Sequence, residues 1–359
     1  MLFRSGGQVV VGSAQLQHSA NLLVVQQNTP RLGLDWQSFN IGSGATVEFK
    51  QPNASSVALN RVLGNSGTEI YGQLKANGQV FLTNPNGVLF APGAKVDVGG
   101  LVASTLDLSQ QDFAAGRYVF NAVEKTGSVV NQGTIKANAG GYLALFGQQV
   151  DNQGAISVDA GSVLLASGRA ATVSISGSGL ISAVVTPGAQ GRISNSGSLS
   201  ADGGTVTLTA QSAQDIAASL VNNSGLIRAN TLVERSGEIW ITGDQVASSG
   251  KITADAVGSG KAGRVSLLGD MAHGSVAVGG EISARSDSGA GGQVETSAAL
   301  VSVARSTRVD TRGGEGVGGN HGTWTIDPTD FTVSSGGAAQ TASGIGADTL
   351  SAKIGRAHV

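Results

Sequence analysis

The side chains that could carry out catalysis in this chain are few and widely separated. Cysteine is absent, which excludes thiol catalysis, zinc–thiolate sites and disulfides. No histidine stands two or four positions from another ligand type in a way that suggests a metal site. The four histidines are His18, His273, His321 and His358. We therefore predict no metal, no cofactor and no catalytic triad.

One glycine-rich segment matches a cofactor motif by spacing alone. Gly258-Ser-Gly-Lys-Ala-Gly263 has the G-x-G-x-x-G pattern of dinucleotide-binding loops. That loop needs a strand before it and a helix after it. Here Arg264–Leu268 continues as a strand-like segment, so we interpret the glycines as a turn.

Composition excludes two further classes of function. The net charge is −2 and no basic run occurs, so the sequence does not predict nucleic acid binding. No segment approaches the ~20 apolar residues of a membrane helix, so we expect no membrane insertion. The 55 glycines, with aromatic residues at 4% and charged residues at 13%, indicate a thin core of stacked aliphatic side chains.

A short unit, Asn-x-Gly-x-(Ile/Leu), recurs beyond Val129. Its clearest copies begin at Asn131, Asn152, Asn195 and Asn223. Degenerate copies lie at Ser248–Ile252 and Val278–Ile282, and a weaker one lies near Gly179–Ile181. Most copies precede a second strand that glycine opens. Self-similarity at 20–30 residues, built from short strands and Gly/Asn turns, is typical of a parallel β-helix.

These repeats predict an all-β fold, a right-handed parallel β-helix (solenoid) with an N-terminal β cap and short β-hairpin excursions. The cap is expected around Gln8–Val11 and Leu22–Val25. A capping box at Ser109–Asp112 predicts a helical turn or two that ends at Gly116. The four repeat asparagines are expected to form a hydrogen-bonded ladder, with glycine supplying the corners.

The densest carboxylates, Asp310, Asp327 and Asp330, require an enzyme hypothesis, because parallel β-helices also house polysaccharide lyases and hydrolases. Those enzymes gather Asp, Lys or Arg on one face of neighbouring coils. The charged residues of this chain are scattered without a repeated register. We therefore interpret the carboxylates as structural and predict that the chain is not an enzyme.

Two apolar runs within Gly78–Phe90 are joined by Asn84-Pro85-Asn86-Gly87, a turn in which each residue has a backbone role. Asn84 can accept a hydrogen bond from the backbone ahead of it, and Pro85 presets its own φ. Asn86 and Gly87 tolerate positive φ. The pattern predicts a tight turn between buried strands.

This turn closely resembles the NPNG signature of the secretion domain at the N-terminus of filamentous-haemagglutinin-like and HMW-type adhesin exoproteins. These proteins are the cargo of bacterial two-partner secretion (TPS). Three further segments read like that family, in its order: Leu34–Ile41, Ser55–Val62 and Gly99–Thr105.

The resemblance implies a secretion-recognition module of a large exported adhesin. The module would be bound in the periplasm by the POTRA domains of an outer-membrane β-barrel transporter and would nucleate β-helix folding outside. It would span residues 6–245, with residues 246–353 continuing the coils. The exoprotein would be secreted or held at the surface of a Gram-negative bacterium, after a signal peptide that is missing here.

Within this scheme Asn84, Pro85, Asn86 and Gly87 would be the recognition and cap-folding element, with Asn60 and Arg61 as a second choice. Alternatively, these four residues could serve only as a structural turn between two strands. Two other functions stay open: a rod that adheres directly to host or neighbouring cells, and the β-helix polysaccharide lyase or hydrolase. Receptors on host or bacterial surfaces would bind through missing downstream regions, and the final activity, whether adhesin, cytolysin or contact-dependent toxin, is not encoded in this segment.

Both ends of the chain resemble translated sequencing adapters. Residues 1–5, Met-Leu-Phe-Arg-Ser, and residues 354–359, Ile-Gly-Arg-Ala-His-Val, correspond to opposing adapter strings. We expect native sequence from about Gly6 to Lys353.

Overall fold

The structure is a computed structural model whose regular secondary structure is almost entirely β-strand. It describes residues 4–123, 127–175, 181–188, 191–210, 219–232, 236–258, 260–314, 320–329, 332–337, 344–348 and 351. The predicted adapter segment at 354–359 and the residues Asp330 and His358 lie outside the described residues. The chain divides into two compact units, residues 1–158 with 162–189 and residues 159–161 with 190–359.

The first unit contains a five-residue helix, α1 (Gln110–Ala114), between its fourteenth and fifteenth strands. Its strands are, in chain order, β1 Arg4–Ser5, β2 Gln8–Val11, β3 Ala14–His18, β4 Leu22–Gln27, β5 Arg31–Trp36, β6 Ser38–Phe39, β7 Thr46–Lys50, β8 Val57–Val62, β9 Thr68–Ile70, β10 Gln73–Ala76, β11 Gln79–Thr83, β12 Val88–Phe90, β13 Lys95–Ser104, β14 Asp107–Leu108, β15 Tyr118–Asn121, β16 Ser128–Asn131, β17 Thr134–Gly147, β18 Gln149–Asn152, β19 Ala155–Ser157, β20 Ser162–Ser167, β21 Ala170–Ile175 and β22 Ile181–Thr186.

These strands form coils whose neighbours pair in parallel, in three stacks. The first stack runs β4-β7-β10-β13-β17-β19, the second β5-β8-β11-β13-β17-β20 and the third β9-β12-β16-β18. Alternate side chains point inward along each strand, so aliphatic residues line up from coil to coil. One such buried row is Leu23, Val47, Leu74, Val96, Ile135 and Ile156. The predicted parallel β-helix is confirmed.

The N-terminal cap consists of β2 and β3. Strand β2 pairs antiparallel with β5, and β3 pairs antiparallel with β4. Strand β4, which contains the predicted cap residues Leu22–Val25, also pairs in parallel with β7 and so belongs to the first coil. Leu23 and Val25 are fully buried, so β4 contributes to the core of this coil as well as pairing with the cap. The cap covers the strand edges on which another chain could otherwise pair.

The outer face of the second stack is also apolar and is covered. Strands β14, β15, β21 and β22 form a four-stranded antiparallel sheet, which together with α1 we call the cover. It packs on a row of outward side chains aligned by strand register: Leu59, Phe81, Val102, Ala144 and Leu164. Strands buried on both faces read as continuous apolar runs. That is why β11 and β20 lack a polar alternation.

The cover contains the helix and the hairpin excursion that were predicted. Ser109 caps α1 by accepting a hydrogen bond from the Asp112 amide at 3.0 Å, and Gly116 follows with φ +73°. Within the described residues, no helix has the length and hydropathy needed to cross a membrane.

The weak repeat predicted near Gly179–Ile181 is wrong as a coil. Residues 179 and 180 lie outside the described residues, but Ile181 begins β22, which pairs antiparallel with β21. Because β22 is part of the hairpin, it adds no parallel rung.

The second unit repeats the three-stack arrangement. Its strands are β23 Arg192–Asn195, β24 Ser198–Ser200, β25 Thr205–Ala210, β26 Leu220–Asn223, β27 Leu226–Arg228, β28 Glu238–Thr242, β29 Gln245–Ser248, β30 Lys251–Thr253, β31 Arg264–Leu268, β32 Ser275–Val278, β33 Glu281–Ser283, β34 Gln293–Ala298, β35 Leu300–Val303, β36 Arg308–Asp310, β37 Thr323–Pro328, β38 Thr332–Ser334 and β39 Gly344–Gly346.

Parallel pairing in this unit joins β24-β27-β30-β33-β36, β25-β28-β31-β34-β37 and β23-β26-β29-β32-β35. A buried aliphatic row again runs through the first of these stacks: Leu199, Ile227, Ile252, Ile282 and Val309. Strand β25, in contrast to β11, alternates buried aliphatic with partly exposed threonine side chains. One covered face and one solvated face explain this alternation.

We predict that Phe120→Ala strongly destabilises the first unit. Phe120 is fully buried in the cover, with ring centroids 6.3 Å from Phe81 and 5.7 Å from Phe146. Removing a buried aromatic ring costs about 3–5 kcal/mol. Urea unfolding followed by circular dichroism measures the change.

The matched control is Val184→Ala, because Val184 lies in the same cover but is 76% exposed. Its expected effect is within about 0.5 kcal/mol. Equal effects of the two substitutions would contradict the assigned packing of the cover.

Candidate functional site

The predicted turn Asn84–Gly87 joins β11 to β12 at a corner of the coil. The Gly87 amide donates to the Asn84 carbonyl at 3.0 Å, which closes the turn. Asn84 Oδ1 accepts from the Asn86 amide at 3.0 Å, as expected of an asparagine that opens a turn. Gly87 takes a φ of +118°, whereas Asn86 stays outside the positive-φ region.

Asn84 is an interior residue that ties three neighbouring coils together. Its side chain is 0% exposed. Nδ2 donates to the Ser66 carbonyl and to Thr68 Oγ1, both at 3.0 Å, and Ser66 and Thr68 belong to the preceding coil. The Asn84 amide donates to the carbonyl of Ser104, in the following coil, at 2.9 Å. A buried amide with all its partners in place fixes the stacking of this corner.

The other turn residues also contact neighbouring corners. Asn86 Nδ2 donates to the Gly64 carbonyl at 2.8 Å, and the Gly127 amide donates to the Pro85 carbonyl at 2.7 Å. A Cβ on Gly127 would lie 2.5 Å from the Asn86 carbonyl carbon, so the approach requires glycine. Of the four turn residues, Asn86 alone is classed as exposed.

Asn60 lies inside the same coils, in β8. It is 0% exposed, and its Oδ1 accepts from Trp36 Nε1 at 3.0 Å. Its Nδ2 donates to the Phe81 carbonyl at 3.3 Å. Trp36 packs edge-to-face on Phe39, with ring centroids 5.3 Å apart. Asn60 therefore satisfies the polar edge of the largest aromatic ring in this part of the core.

Arg61, the next residue, points outward and links the coils to the cover. Its guanidinium lies 3.9 Å from Asp35 Oδ1 and 3.4 Å from Asp107 Oδ1 of β14. Gln110 of α1 donates to Asp35 Oδ2 at 2.6 Å. Burial raises the pKa of Asp35, Arg61 lowers this pKa, and Asp107 raises it. Sequence reasoning missed both aspartates, which come from separate segments of the chain.

The repeat asparagines are buried and hydrogen-bonded along the stack. In the first unit Asn131 Nδ2 donates to Asn152 Oδ1 at 2.7 Å, across 21 residues. Asn131 Oδ1 accepts from the Gly133 amide at 3.1 Å. In the second unit Asn195 Nδ2 donates to Asn223 Oδ1 at 2.8 Å, and Asn223 Nδ2 donates to Ser248 Oγ at 3.2 Å.

Of the carboxylates considered for catalysis, Asp310 lies in a structural contact. Asp310, in β36, forms a two-point pair with Arg312 at 2.8 and 2.6 Å. These hydrogen bonds from Arg312 lower the pKa of Asp310. Asp327, in β37, is exposed. His18, His273 and His321 are exposed in separate elements, and the described part of the chain holds no group of three potential metal ligands.

The glycine-rich segment at residues 258–263 is followed by a strand. Gly258 has φ +85°, and β31 begins directly after Gly263. Ser259 lies outside the described residues. The helix that a dinucleotide-binding loop requires is replaced by β31.

Comparison with known proteins identifies the family. The family model described as "TPS secretion domain" matches residues 3–254. The chain belongs to the TPS secretion domain family. The resemblance inferred from Asn84–Gly87 and its flanking segments is confirmed.

Two curated relatives, both named heme/hemopexin-binding protein and both from Haemophilus influenzae, are similar to this chain. One, from the Rd strain, is 38% identical over 253 residues, and the other is 34% identical over 261 residues. These matches cover 68% and 67% of this chain and 28% of each relative. The chain thus spans about a quarter of the length of these relatives.

A solved structure shares the fold. The crystal structure of the HMW1 secretion domain from Haemophilus influenzae superposes with a TM-score of 0.80 at 23% identity. The match covers 95% of this chain and 99% of the HMW1 chain. Proteins with a TPS domain are exoproteins that two-partner systems secrete from Gram-negative bacteria, and the domain implies an outer-membrane transporter. The family is non-enzymatic in general.

We predict that Asn131→Ala destabilises the first unit by about 1–3 kcal/mol, because it removes the donor to Asn152 and the acceptor of the Gly133 amide inside the coils. Gln132→Ala is the matched control. The Gln132 side-chain amide donates to Gln153 Oε1 at 2.9 Å on the exposed side of the same corner. We therefore expect its removal to change the free energy of unfolding by less than about 0.5 kcal/mol. Urea unfolding compares the two, and an equal loss would contradict a special role for the buried ladder.

We predict that Arg61→Met makes stability fall more steeply with rising pH. Removing the cation raises the already elevated pKa of Asp35 further, because burial and Asp107 then act unopposed by that charge. A carboxyl whose pKa is higher in the folded state loses stability as pH rises through that pKa. The loss relative to the parent should therefore be larger at about pH 7 than at about pH 4.

Urea midpoints at the two pH values measure this effect, and Arg117→Met is the control. Arg117 pairs with Asp112 at 2.7 Å on the exposed side of the cover, so its removal should change the pH dependence much less. A loss that is the same at both pH values for Arg61→Met would contradict the charge assignment.

Proposed function

We propose that this domain is the recognition module of its exoprotein: POTRA domains of the paired outer-membrane transporter bind it unfolded, and it then nucleates β-helix folding at the cell surface. The observation that supports this proposal is the position of Asn84, which is fully buried yet contacts the preceding and the following coil. These contacts fix the stacking of three coils in the folded state, which supports a role for Asn84 in starting the fold.

Recognition of the Asn84 and Asn60 side chains has to precede folding. Asn84 and Asn60 are both 0% exposed, so a partner that reads their side chains meets them in an extended chain. The segments beside the turn, β11 and β12, contain no charged residue. Such a segment is suited to adding a strand to an exposed sheet edge, where backbone hydrogen bonds supply affinity. These features support binding of the chain by the POTRA domains while it is unfolded.

Folding outside can give export its direction. A coil buries a few aliphatic side chains, worth about 1.5–3 kcal/mol each, which does not offset the ordering of its backbone. A coil that stacks on a finished neighbour shares its buried surface and its backbone hydrogen bonds. The cap closes the N-terminal edge with β2 and β3, so coils add from the other side.

A second candidate function concerns haem or hemopexin, because the two relatives are named for binding them. The match to the Rd-strain relative spans 253 residues, about the length of the TPS match at residues 3–254, and covers only 28% of that relative. This extent of similarity supports a common export route more than a common ligand. We propose that the whole exoprotein binds its ligand or receptor outside this region. Binding of haem by this chain alone would instead favour a haem-binding function.

We predict that Asn84→Ala/Asn86→Ala weakens binding of the urea-unfolded chain to the transporter's purified POTRA domains by about tenfold, or ~1.4 kcal/mol. The physical reason is the loss of the two amide side chains that the turn offers to a binding edge. Biolayer interferometry after rapid dilution of the chain measures the affinity before folding is complete.

The control is Asn195→Ala/Asn223→Ala, which makes the same chemical change in the repeat ladder and should leave binding unchanged. Equal binding of the parent and the Asn84/Asn86 variant would refute the recognition role of the turn. Absence of binding by the unfolded parent would refute the proposed function itself.

A further inference from the structure

The family-like segments of the first unit carry an apolar face that is distinct from the core of the coils. Along β8 and β11 the inward side chains include Asn60 and Leu82, while Leu59 and Phe81 point outward. The outward side chains still reach 0% exposure, because the cover lies on them. This face includes β11, which directly precedes the turn at Asn84–Gly87, and Phe81 stands three residues before Asn84.

The cover comes from two later insertions. Residues 107–121 supply β14, α1 and β15 between β13 and β16, and residues 170–175 and 181–186 supply β21 and β22 after β20. The first insertion buries Phe113 and Phe120 against Phe81, and the second contributes Ala171, Val173 and Val185. Each coil can thus form its inward core without closing its outer face.

The cover is attached to the candidate site by charge. Arg61 of β8 lies 3.4 Å from Asp107, at the start of the cover, and Gln110 of α1 donates to Asp35 of β5. Asp35 Oδ1 and Arg61 Nε have no hydrogen-bond partner among the described residues, so Arg61 acts at this junction by charge attraction, while Gln110 supplies a direct hydrogen bond to Asp35.

We infer that the cover is a closing lid that ends transporter recognition: before folding, the POTRA domains bind the extended strands through the apolar side chains that later form the outward row from Leu59 to Leu164, and afterwards the lid occupies that row. The inference rests on the proposed function and adds its regulation. The lid and the transporter compete for one face of the same strands. Folding then removes the binding surface at the moment when the module is complete.

The first arm of the test uses the unfolded full chain and the purified POTRA domains. Phe81→Ser changes the outward face, and Leu82→Ser, its neighbour, changes the inward face of the same strand. Phe81→Ser is expected to weaken binding about tenfold and Leu82→Ser to leave it near the parent value. Equal binding by both variants, with the parent binding, overturns the lid inference and leaves the proposed function standing.

The second arm uses the folded full chain. Val173→Asp places a charge under the lid, where Val173 is buried, and Val184→Asp makes the same change on the adjacent lid strand, where the side chain is 76% exposed. Binding of an apolar dye reports opening. We expect Val173→Asp to bind the dye and to bind the POTRA domains about tenfold more tightly than the folded parent, with Val184→Asp like the parent.

An opened Val173→Asp chain that does not gain POTRA binding overturns the inference. If that variant does not fold, the comparison of Phe81→Ser with Leu82→Ser decides the question, because it requires no folding. If the unfolded parent does not bind the POTRA domains, the proposed function and the lid inference both fail. This outcome differs from failure of the lid inference alone, in which the parent still binds.

Discussion

Everything in this fold depends on the fact that one coil cannot bury its own side chains. A coil of three short strands places only a few aliphatic side chains inward, and their burial does not offset the entropy of ordering the backbone. Leu74 and Val96 are shielded because the coils above and below supply matching residues at the same register. Stability is therefore a property of neighbouring coils, as in other solenoids. The first coil then needs a substitute neighbour, which the antiparallel strands β2 and β3 provide.

Buried amides give this stacking its register. Aliphatic rows alone would tolerate a shift of one coil on the next, since most inward residues are Leu, Ile or Val. A buried Asn131 that donates to Asn152 at 2.7 Å leaves unpaired polar groups if the register changes. Asn84 does the same at the turn, through Ser66 and Thr68. The candidate recognition residues and the repeat asparagines thus share one physical role in the folded state.

The sequence was sufficient for features whose signal is local or periodic. The turn at Asn84–Gly87 follows from the chemistry of four adjacent residues, and the coils follow from Asn and Gly at repeated spacing. The cover was not predicted beyond its helix and hairpins, because its strands β15 and β21 pair antiparallel from distant segments. The weak repeat near Ile181 was wrong for a related reason: glycine followed by aliphatic residues opens a hairpin strand as readily as a coil. The partners of Arg61 were missed since Asp35 and Asp107 carry no local motif. One available signal was the absence of polar alternation in β11, which indicates burial on both faces.

The absence of polar alternation in strands such as β11 bears on how the chain behaves before it folds. A strand that is apolar on both faces favours the folded state twice, through the core and through the cover, but the same strand is prone to aggregate while extended. The family implies an outer-membrane transporter in general, and in the function proposed above that transporter binds these strands until folding begins. The second unit has no equal requirement along β25, where threonine side chains alternate with buried aliphatics. One of the strands that is apolar on both faces, β11, directly precedes the turn at Asn84–Gly87. We therefore expect the need for a binding partner in transit, and the end of that need on folding, to reside in the same few segments.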